Sequence, residues 1–185
     1  RFLGEFFLLR ETDEQVGVIG NFGFGAPVVV TIMENLIAFG VKKFLSIGVG
    51  GSLQKQLTVG SIVVYNRAIR DEGTSHHYLK PSKYAHASKA LVKLTEQELK
   101  SLGLGYVAGS SWTIDAPFRE TFAEVRKYQE EGVLTVEMEA AAIFSVVKYR
   151  NVEAGAIFTI SDYLAELEWK PKFHLTSEYL RKTFE

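Results

Sequence analysis

The sequence predicts an α/β protein, a three-layer α/β/α sandwich around a central mixed β-sheet. Apolar runs typical of buried strands alternate with segments of helical period, and glycine-rich turns join several of them. The chain has 185 residues, 46% of them hydrophobic, which is enough for one core. We therefore expect a single domain over residues 1–185. Because the chain starts at Arg1 and stops within a helical pattern at Glu185, we also expect that N-terminal and C-terminal segments are missing.

The first third of the chain predicts a hairpin and then a strand–helix–strand order. A polar segment at residues 11–15 separates two apolar runs, as in a β-hairpin. Apolar residues at helical spacing then run from Pro27, a residue favoured in the first turn of a helix, to Gly40, which ends it. The glycine-rich segment 48–52 is predicted as a loop. The predicted strands of this part are 2–9, 16–20, 43–48 and 61–66.

The rest of the chain continues the alternation. Leucines at helical spacing predict a helix that closes at Gly103, and a later charge-rich segment predicts a solvated helix. Loops that follow the strands are where an α/β sheet holds a ligand, so functional residues are expected there. The predicted helices are 85–102, 120–131, 139–149 and one from Phe173 onward, and the predicted strands are 104–111, 133–137 and 154–160.

Composition excludes several classes of protein. The formal net charge is −1 and no basic run exceeds Lys42-Lys43, so nucleic acid is not an expected partner. Cysteine is absent, which excludes disulfides and thiolate chemistry. No apolar stretch approaches the roughly 18 residues that span a bilayer, and no signal-peptide pattern opens the chain. We expect a cytoplasmic protein without a membrane partner.

Two glutamates stand where a predicted strand gives way to a helix. Glu137 and Glu139 flank Met138, and the neighbours Val136 and 140–143 are apolar. At least one carboxylate is therefore expected to point into a partly enclosed space, where it needs a partner because an unpaired buried charge costs several kcal/mol. A ligand rich in hydroxyl groups would meet that need. The alternative is a pair of acids favoured only by the helix dipole.

Several common motifs are absent. Neither glycine-rich turn continues as G-x-G-x-x-G, and Gly20–Gly25 has the glycine spacing of a P-loop but is followed by Ala26-Pro27 instead of Lys-Ser/Thr. The nucleophile motif G-x-S-x-G is missing. The four histidines show no metal-ligand spacing with carboxylates. These observations argue against a dinucleotide cofactor and a zinc site.

The remaining motifs together resemble those of the purine nucleoside phosphorylase and uridine phosphorylase family. The similarity extends across nearly the whole chain. Its most specific part is Val136–Ala140, Val-Glu-Met-Glu-Ala, followed by Ser161-Asp162 at the end of the next predicted strand. The other matching segments are Gly23–Pro27, Phe44–Gln54, Val59–Val64 and Arg70–Ser75.

The resemblance implies a pentosyltransferase. A nucleoside phosphorylase cleaves the N-glycosidic bond of a nucleoside with phosphate and gives the free base and ribose 1-phosphate. By resemblance Glu139 binds the ribose hydroxyls, Met138 packs on the sugar, and Glu137 assists or orients Glu139 in binding the substrate. Asp162, if its carboxyl holds a proton, stabilises the leaving base. Glu139 and Asp162 are the expected catalytic residues, phosphate is the co-substrate, and no cofactor or metal is implied.

The expected base-binding loop, residues 112–120, matches that of the family in part. Either Phe118 or Trp112 would stack on the base, and Arg119 is a further expected substrate contact. Asp162 stands in place of the Arg and Gln arrangement of uridine-specific relatives. This difference favours a purine nucleoside over uridine.

The phosphate side departs from the family pattern. Family phosphorylases have an arginine and a serine or threonine where this chain has Ser46 and Val49, and neither of these residues anchors a dianion. The expected phosphate contacts are the loop positions Gly25, Gly48 and Val49, with Gly25 at a helix N-terminus, and the side chain of Arg70.

Two other functions therefore stay open. With water in place of phosphate the protein would be a nucleoside hydrolase, similar to those that act on methylthioadenosine and adenosylhomocysteine. A catalytically silent relative would only bind or store a nucleoside. The resemblance also implies a homo-oligomer, a dimer or a hexamer, because family sites borrow residues from a neighbouring subunit.

Overall fold

The computed structural model describes residues 4–166, 170–171 and 181. These residues form nine strands and four α-helices, in an alternating order that confirms the predicted α/β class. The helix predicted from Phe173 onward lies outside the described residues, apart from residue 181. In chain order the elements are β1 (Glu5–Leu8), β2 (Gly17–Gly20), α1 (Ala26–Ala38), β3 (Lys43–Ser52), β4 (Ile62–Asp71), β5 (Tyr84–His86), α2 (Lys89–Ser101), β6 (Tyr106–Ile114), α3 (Phe122–Glu130), β7 (Thr135–Glu137), α4 (Ala140–Arg150), β8 (Glu153–Tyr163) and β9 (Lys170–Pro171).

The described strands form two sheets. β1 and β2 pair antiparallel, as the predicted hairpin. The other seven strands form one mixed sheet in the order β5-β4-β6-β7-β3-β8-β9, which confirms the predicted mixed sheet. An additional antiparallel pairing of β4 with β8 closes β4, β6, β7, β3 and β8 into a ring. Strands that are distant in the sequence therefore meet around one barrel-like ring.

Helices cover both faces of the mixed sheet. Val63 and Tyr65 of β4 pack in one apolar cluster with buried residues of α1 and α4. Ile62 and Val64 point to the opposite face, because successive side chains of a strand alternate, and they pack with Leu99 of α2. Helix, sheet and helix are thus stacked, which confirms the three-layer sandwich.

The first two turns of α4 are buried on every side. Residues 140–147 are all buried, so this part of the helix leaves no stripe for solvent. The helix ends at Asn151, which takes a left-handed conformation with φ 54°. Because residues 140–147 are buried, the N-terminus of α4 lies inside the protein, where its free N–H groups need acceptors.

Within the described part of the chain, none of the helices has the length and apolar character that a membrane span requires.

The glycine-rich segment 48–52, predicted as a loop, is the second half of β3. A Cβ atom on Gly48 would lie 2.9 Å from the ring of Phe158, and one on Gly50 would lie 3.0 Å from the carbonyl oxygen of Val136. The loop prediction is wrong because these glycines serve close packing between strands and do not form a turn.

The beginning of the predicted helix 85–102 overlaps the end of β5. This short strand pairs antiparallel with β4, and the N–H of Ala87 donates a hydrogen bond of 3.1 Å to the carbonyl oxygen of Asn66. α2 begins only after Ser88. The prediction is wrong at this end because apolar spacing in a short segment does not distinguish a strand from a helix, and pairing with β4 decides between them.

Candidate active site

The carboxylates predicted from the sequence meet at the glycines of β3. Gly51 pairs with Val136 of β7 on one side and with Asp162 of β8 on the other. Glu137 follows Val136 and lies beside Gly50: a Cβ atom on Gly50 would lie 3.7 Å from the Cβ of Glu137. A Cβ atom on Gly51 would lie 3.0 Å from Oδ2 of Asp162. Because neither glycine has a side chain, carboxylates from two strands approach the same stretch of backbone.

Glu137 accepts four hydrogen bonds from the protein. Its Oε2 accepts from the backbone N–H groups of Glu139, at 2.7 Å, and Ala140, at 2.6 Å. Its Oε1 accepts from the hydroxyls of Ser111, at 3.1 Å, and Thr113. A carboxylate has about four acceptor sites, so these donors saturate it. Since the residue is also only 5% exposed, the geometry favours orientation of Glu139 over direct contact with a ligand.

The surroundings of Glu137 shift its protonation toward neutral pH. Burial raises the pKa of Glu137 to about 7, and the negative charge of Glu139 contributes in the same direction. The hydrogen bonds from Thr113 and from the N–H groups of Ala140 and Glu139 lower this pKa. The ionised and protonated forms of this carboxyl are therefore of similar free energy close to neutral pH.

Glu139 directly precedes Ala140, the first residue of α4. Its Oε1 accepts a hydrogen bond of 2.5 Å from the N–H of Gly25, which immediately precedes α1. Gly25 has φ 99°, a conformation that residues with side chains rarely adopt. Burial raises the pKa of Glu139, whereas the N–H groups of Gly25 and Met138 lower it. Glu139 and Met138 are both half-buried, so they border the interior and the solvent.

Asp162 lies near the end of β8. It is 8% exposed, and its Oδ1 accepts a hydrogen bond of 2.7 Å from Oγ of Ser161. The half-buried Glu120 is near enough for the two charges to interact. Burial raises the pKa of Glu120 to about 7, with smaller contributions from the charges of Asp162 and Glu124. A second pair of acidic side chains thus lies on the β8 side of the site.

The family model described as the phosphorylase superfamily matches residues 3–181. The chain belongs to the phosphorylase superfamily. This membership confirms the family that the Val-Glu-Met-Glu-Ala and Ser-Asp motifs predict. Over 150 residues the chain is 32% identical to a guanosine phosphorylase of Halorubrum lacusprofundi, a match that covers 79% of this chain and 61% of that protein.

Two further relatives have the same name, DeoD-type purine nucleoside phosphorylase. The protein from an Exiguobacterium species is 26% identical over 196 residues, which cover 100% of this chain and 81% of that protein. The protein from Bacillus cereus strain ZK is 29% identical over 173 residues, which cover 92% and 71%.

The fold of this superfamily member is similar to a solved structure, the P. knowlesi homologue of the P. falciparum PNP. The TM-score is 0.72 at 25% sequence identity, over 83% of this chain and 64% of that one. The chain therefore spans less than two thirds of this structure and of the guanosine phosphorylase.

The predicted base-binding residues of this superfamily member differ sharply in exposure. Trp112 is fully buried, its Nε1 donates a hydrogen bond of 2.9 Å to Oδ2 of Asp71, and its ring packs 4.8 Å from that of Tyr128. Stacking of Trp112 on a base stays a prediction, and it would require exposure of a ring that is packed in the apolar cluster with Tyr128. Phe118 is 93% exposed and Arg119 is exposed, and contact of either side chain with a substrate stays a prediction.

Arg70 does not have a free donor for phosphate. Its five guanidinium hydrogen bonds go to protein oxygens at 2.7 to 3.1 Å, and the residue is 6% exposed. The guanidinium group holds the segment after β4 in place, so phosphate binding by Arg70 stays a prediction that requires release of these hydrogen bonds. The acceptors are the hydroxyls of Ser75 and Ser82 and the carbonyl oxygens of Ser75, Leu79 and Lys80.

The glycines predicted to contact phosphate have other partners in the structure. The N–H of Gly25 donates to Glu139, so Gly25 lies with the carboxylates. Gly48 packs against Phe158 within the sheet. Val49 is a half-buried residue of β3 that pairs with Thr159 of β8. Contact between these residues and phosphate stays a prediction, and for Gly25 it requires release of Glu139.

Sequence reasoning missed the hydroxyls that bind Glu137. Ser111 and Thr113 are two residues apart on β6, so both side chains point to the same face of the strand. That spacing is the signal that could have identified them. The N–H of Ala141 donates to Oγ1 of Thr113, at 2.9 Å, which leaves the hydroxyl hydrogen of Thr113 for Glu137.

Glu137→Gln is expected to change how stability depends on pH. The pKa of Glu137 is about 7 in the folded protein, against a reference value of 4.5, so the folded state binds this proton more tightly. The stabilisation is complete below pH 4.5 and is lost as the pH rises through about 7. Relative to the variant, the wild type should lose up to about 3 kcal/mol of unfolding free energy across this range.

Urea unfolding at pH 4.5, 6 and 8 measures this difference. Glu130→Gln, at an exposed position of α3, is the control and should show the pH dependence of the wild type. Parallel pH profiles for wild type and Glu137→Gln would mean that the folded protein does not retain this proton.

Proposed function

We propose that this protein is a nucleoside phosphorylase that acts on a purine nucleoside. The observation that supports the proposal most directly is the position of Glu137 and Asp162 on either side of the Gly50–Gly51 segment of β3, with the N–H of Glu139 bound to Glu137. Similarity to proteins named guanosine phosphorylase and purine nucleoside phosphorylase supports the same reaction. The chain would act as one domain.

The two carboxylates have different tasks in this reaction. The bond from C1′ to the base breaks as an oxygen of phosphate bonds to C1′, and the sugar passes through an oxocarbenium-like state. Glu139, held at the N-terminus of α4, would bind the ribose hydroxyls and stabilise the positive sugar. Asp162 would give a proton to the leaving base. The products are the free base and ribose 1-phosphate, with phosphate as the co-substrate and no cofactor or metal.

A purine is the base that the similarities favour. The names of the relatives specify purine nucleosides or guanosine. In this chain the exposed Phe118 would cover the base, since a mobile aromatic ring can stack on its face, and Arg119 beside it would contact the substrate. Asp162 would lie at the edge of the base, with Glu120 next to it.

Changes to the two carboxylates should abolish most activity. Glu139→Ala removes the acceptor of two ribose hydroxyls, and we expect kcat/KM for inosine or guanosine to fall by about 100-fold or more. Asp162→Asn should lower kcat by roughly 10²–10⁴, the contribution of a general acid. A phosphorolysis assay with purified protein measures both, and Glu130→Gln serves as the surface control. Wild-type activity in Glu139→Ala would refute the assignment, and an inactive wild type would favour the binding or storage function.

Hydrolysis is the second candidate function. The observation that favours it is the loss of phosphate ligands: Arg70 donates all its hydrogen bonds to the protein, and Ser46 and Val49 provide no positive charge. In a hydrolase, water would attack C1′ and the sugar product would be ribose. The carboxylates would have the same tasks in either reaction.

The choice between phosphate and water is tested by omitting phosphate. For a phosphorylase we expect cleavage of inosine to need inorganic phosphate and to yield ribose 1-phosphate. Cleavage at the same rate in phosphate-free buffer, with ribose as the product, would establish the hydrolase. Chromatographic separation of the two sugar products makes the distinction directly.

We also propose that the protein is a cytoplasmic homo-oligomer. Phe6, Phe7 and Leu8 of the β1–β2 hairpin are each about half exposed, and an apolar surface of this kind fits contact with another subunit. Sedimentation of the wild type as a dimer or larger assembly is expected, with a shift toward monomer in the double variant Phe6→Ser, Phe7→Ser. Phe39→Ser, at an exposed position after α1, is the control. A wild type that sediments as a monomer would contradict the proposal.

A further inference from the structure

A chain of three buried hydroxyls leads to Glu137. The hydroxyl oxygens of Tyr65 and Thr135 are 2.8 Å apart, and those of Thr135 and Ser111 are 3.1 Å apart. Ser111 donates to Oε1 of Glu137 over 3.1 Å. Tyr65, Thr135 and Ser111 are all 0% exposed. The chain starts under β3, because a Cβ atom on Gly50 would lie 3.1 Å from the hydroxyl of Tyr65.

The carboxylate fixes the direction of this chain. Each hydroxyl has a single hydrogen to donate, and an ionised carboxylate only accepts. Thr135 lies within donor distance of both Ser111 and Tyr65 but has one hydrogen. When Ser111 donates to Glu137 and Thr135 donates to Ser111, the hydrogen bond between Thr135 and Tyr65 is donated by Tyr65. All three hydrogens therefore point toward Glu137. Aligned hydrogen bonds of this kind polarise one another and strengthen the last one.

The hydroxyls are not required for packing. Buried hydroxyls cost free energy unless they are paired, and Phe or Val would fill similar volumes in this apolar layer. What the three hydroxyls share is a chain of hydrogen bonds that ends at Oε1 of Glu137. The other oxygen of this carboxylate accepts from the N–H groups of Glu139 and Ala140. Glu137 thus joins the hydroxyl chain on β4, β7 and β6 to the first residue of α4.

We propose that the hydroxyl chain Tyr65–Thr135–Ser111 stabilises the ionised form of Glu137 and holds its carboxylate in place, and that Tyr65 acts through Glu137 as a positioning residue for Glu139. The inference deepens the proposed function, because the task of Glu139 in binding ribose rests on it. Tyr65 does not touch a ligand. Its contribution is to stabilise the ionised form of Glu137, which holds the N–H of Glu139 and so sets the direction of the Glu139 side chain.

Few charged groups face this assembly. Glu139 faces Glu137 from α4 and raises the pKa of Glu137, and Asp162 lies beyond Gly51 on β8. Burial raises the pKa of Tyr65 well above its usual value, and the charge of Glu137 raises it further. Tyr65 therefore keeps its hydrogen at neutral pH and always has it available for donation. Loss of the chain should make ionised Glu137 less stable, which raises the pKa of Glu137.

Titration of the Glu137 carboxyl tests the proposal directly. The full chain labelled with ¹³C at glutamate side-chain carboxyls gives an NMR signal for Glu137, assigned by its absence in Glu137→Gln. In Tyr65→Phe and in Thr135→Val, the midpoint of this signal should move to higher pH by about half a unit. Thr135→Ser retains the hydroxyl and should restore the wild-type midpoint.

Tyr128→Phe is the matched control. Tyr128 is also a buried tyrosine, 6% exposed, but it packs on the ring of Trp112 and takes no part in the chain. Its variant should leave the midpoint of Glu137 unchanged. If Tyr65→Phe or Thr135→Val titrates like Tyr128→Phe, the proposal is overturned. If Tyr65→Phe does not fold, the pair Thr135→Val and Thr135→Ser gives the same decision.

The readout separates this proposal from the proposed function. The titration needs no substrate. A shifted midpoint in a protein that does not cleave nucleosides would therefore support the proposed role of the three hydroxyls and refute the proposed function. An active enzyme in which these variants leave the midpoint of Glu137 unchanged would refute the proposed role of the hydroxyls and leave the proposed function intact. In an active enzyme, Tyr65→Phe should also shift the acid limb of the kcat–pH profile to higher pH, whereas Tyr128→Phe should not.

Discussion

The close approach of three strands at Gly50 and Gly51 is the constraint on which the site depends. β7 and β8 lie on either side of β3, and the space that side chains at these glycines would fill is occupied by Val136, Tyr65, Asp162 and Leu164. A larger residue would separate the strands. Because β7 ends at Glu137 and β8 carries Asp162 near its end, the distance between the strands also sets the distance between the acids.

The N-terminus of α4 adds a second constraint, the burial of a carboxylate. Removal of an ionised carboxylate from water is costly, and Glu137 is 5% exposed. Hydrogen bonds to a charged group contribute about 1.5–3 kcal/mol each, and Glu137 accepts four. Burial still raises the pKa of Glu137 to about 7, so its desolvation is offset only in part. The same bonds provide acceptors for N–H groups at a helix end that solvent cannot reach.

Arg70 shows how a charged side chain near the end of a strand can serve folding. Its guanidinium group binds five oxygens of residues 75–82, and this segment leads from β4 to β5. The nearby Glu72, which is 4% exposed, accepts from the N–H of Ser75. Both charges are used within the loop. Neither charge is left for phosphate, and the origin of a positive charge for phosphate is the point on which the proposed phosphorolysis and hydrolysis differ.

The sequence alone determined the features that depend on local chemistry. Alternation of apolar runs predicts the layers, and the motif around Glu137 and Glu139 identifies the superfamily. Thr121 and Glu124 are another local signal. Their reciprocal capping hydrogen bonds stabilise the N-terminus of α3 and involve only four consecutive residues. Such signals are complete in a short window of sequence.

Only the tertiary structure decided which groups remain available to a ligand. Trp112 and Arg70 have residue types that suit base and phosphate, but the core surrounds Trp112 and five protein oxygens occupy Arg70. Tyr65 has no sequence signal at all, since its hydroxyl acquires a role through Thr135, 70 residues away. Hydrogen-bond capacity and exposure depend on contacts between distant segments, so the sequence pattern of one segment does not contain them.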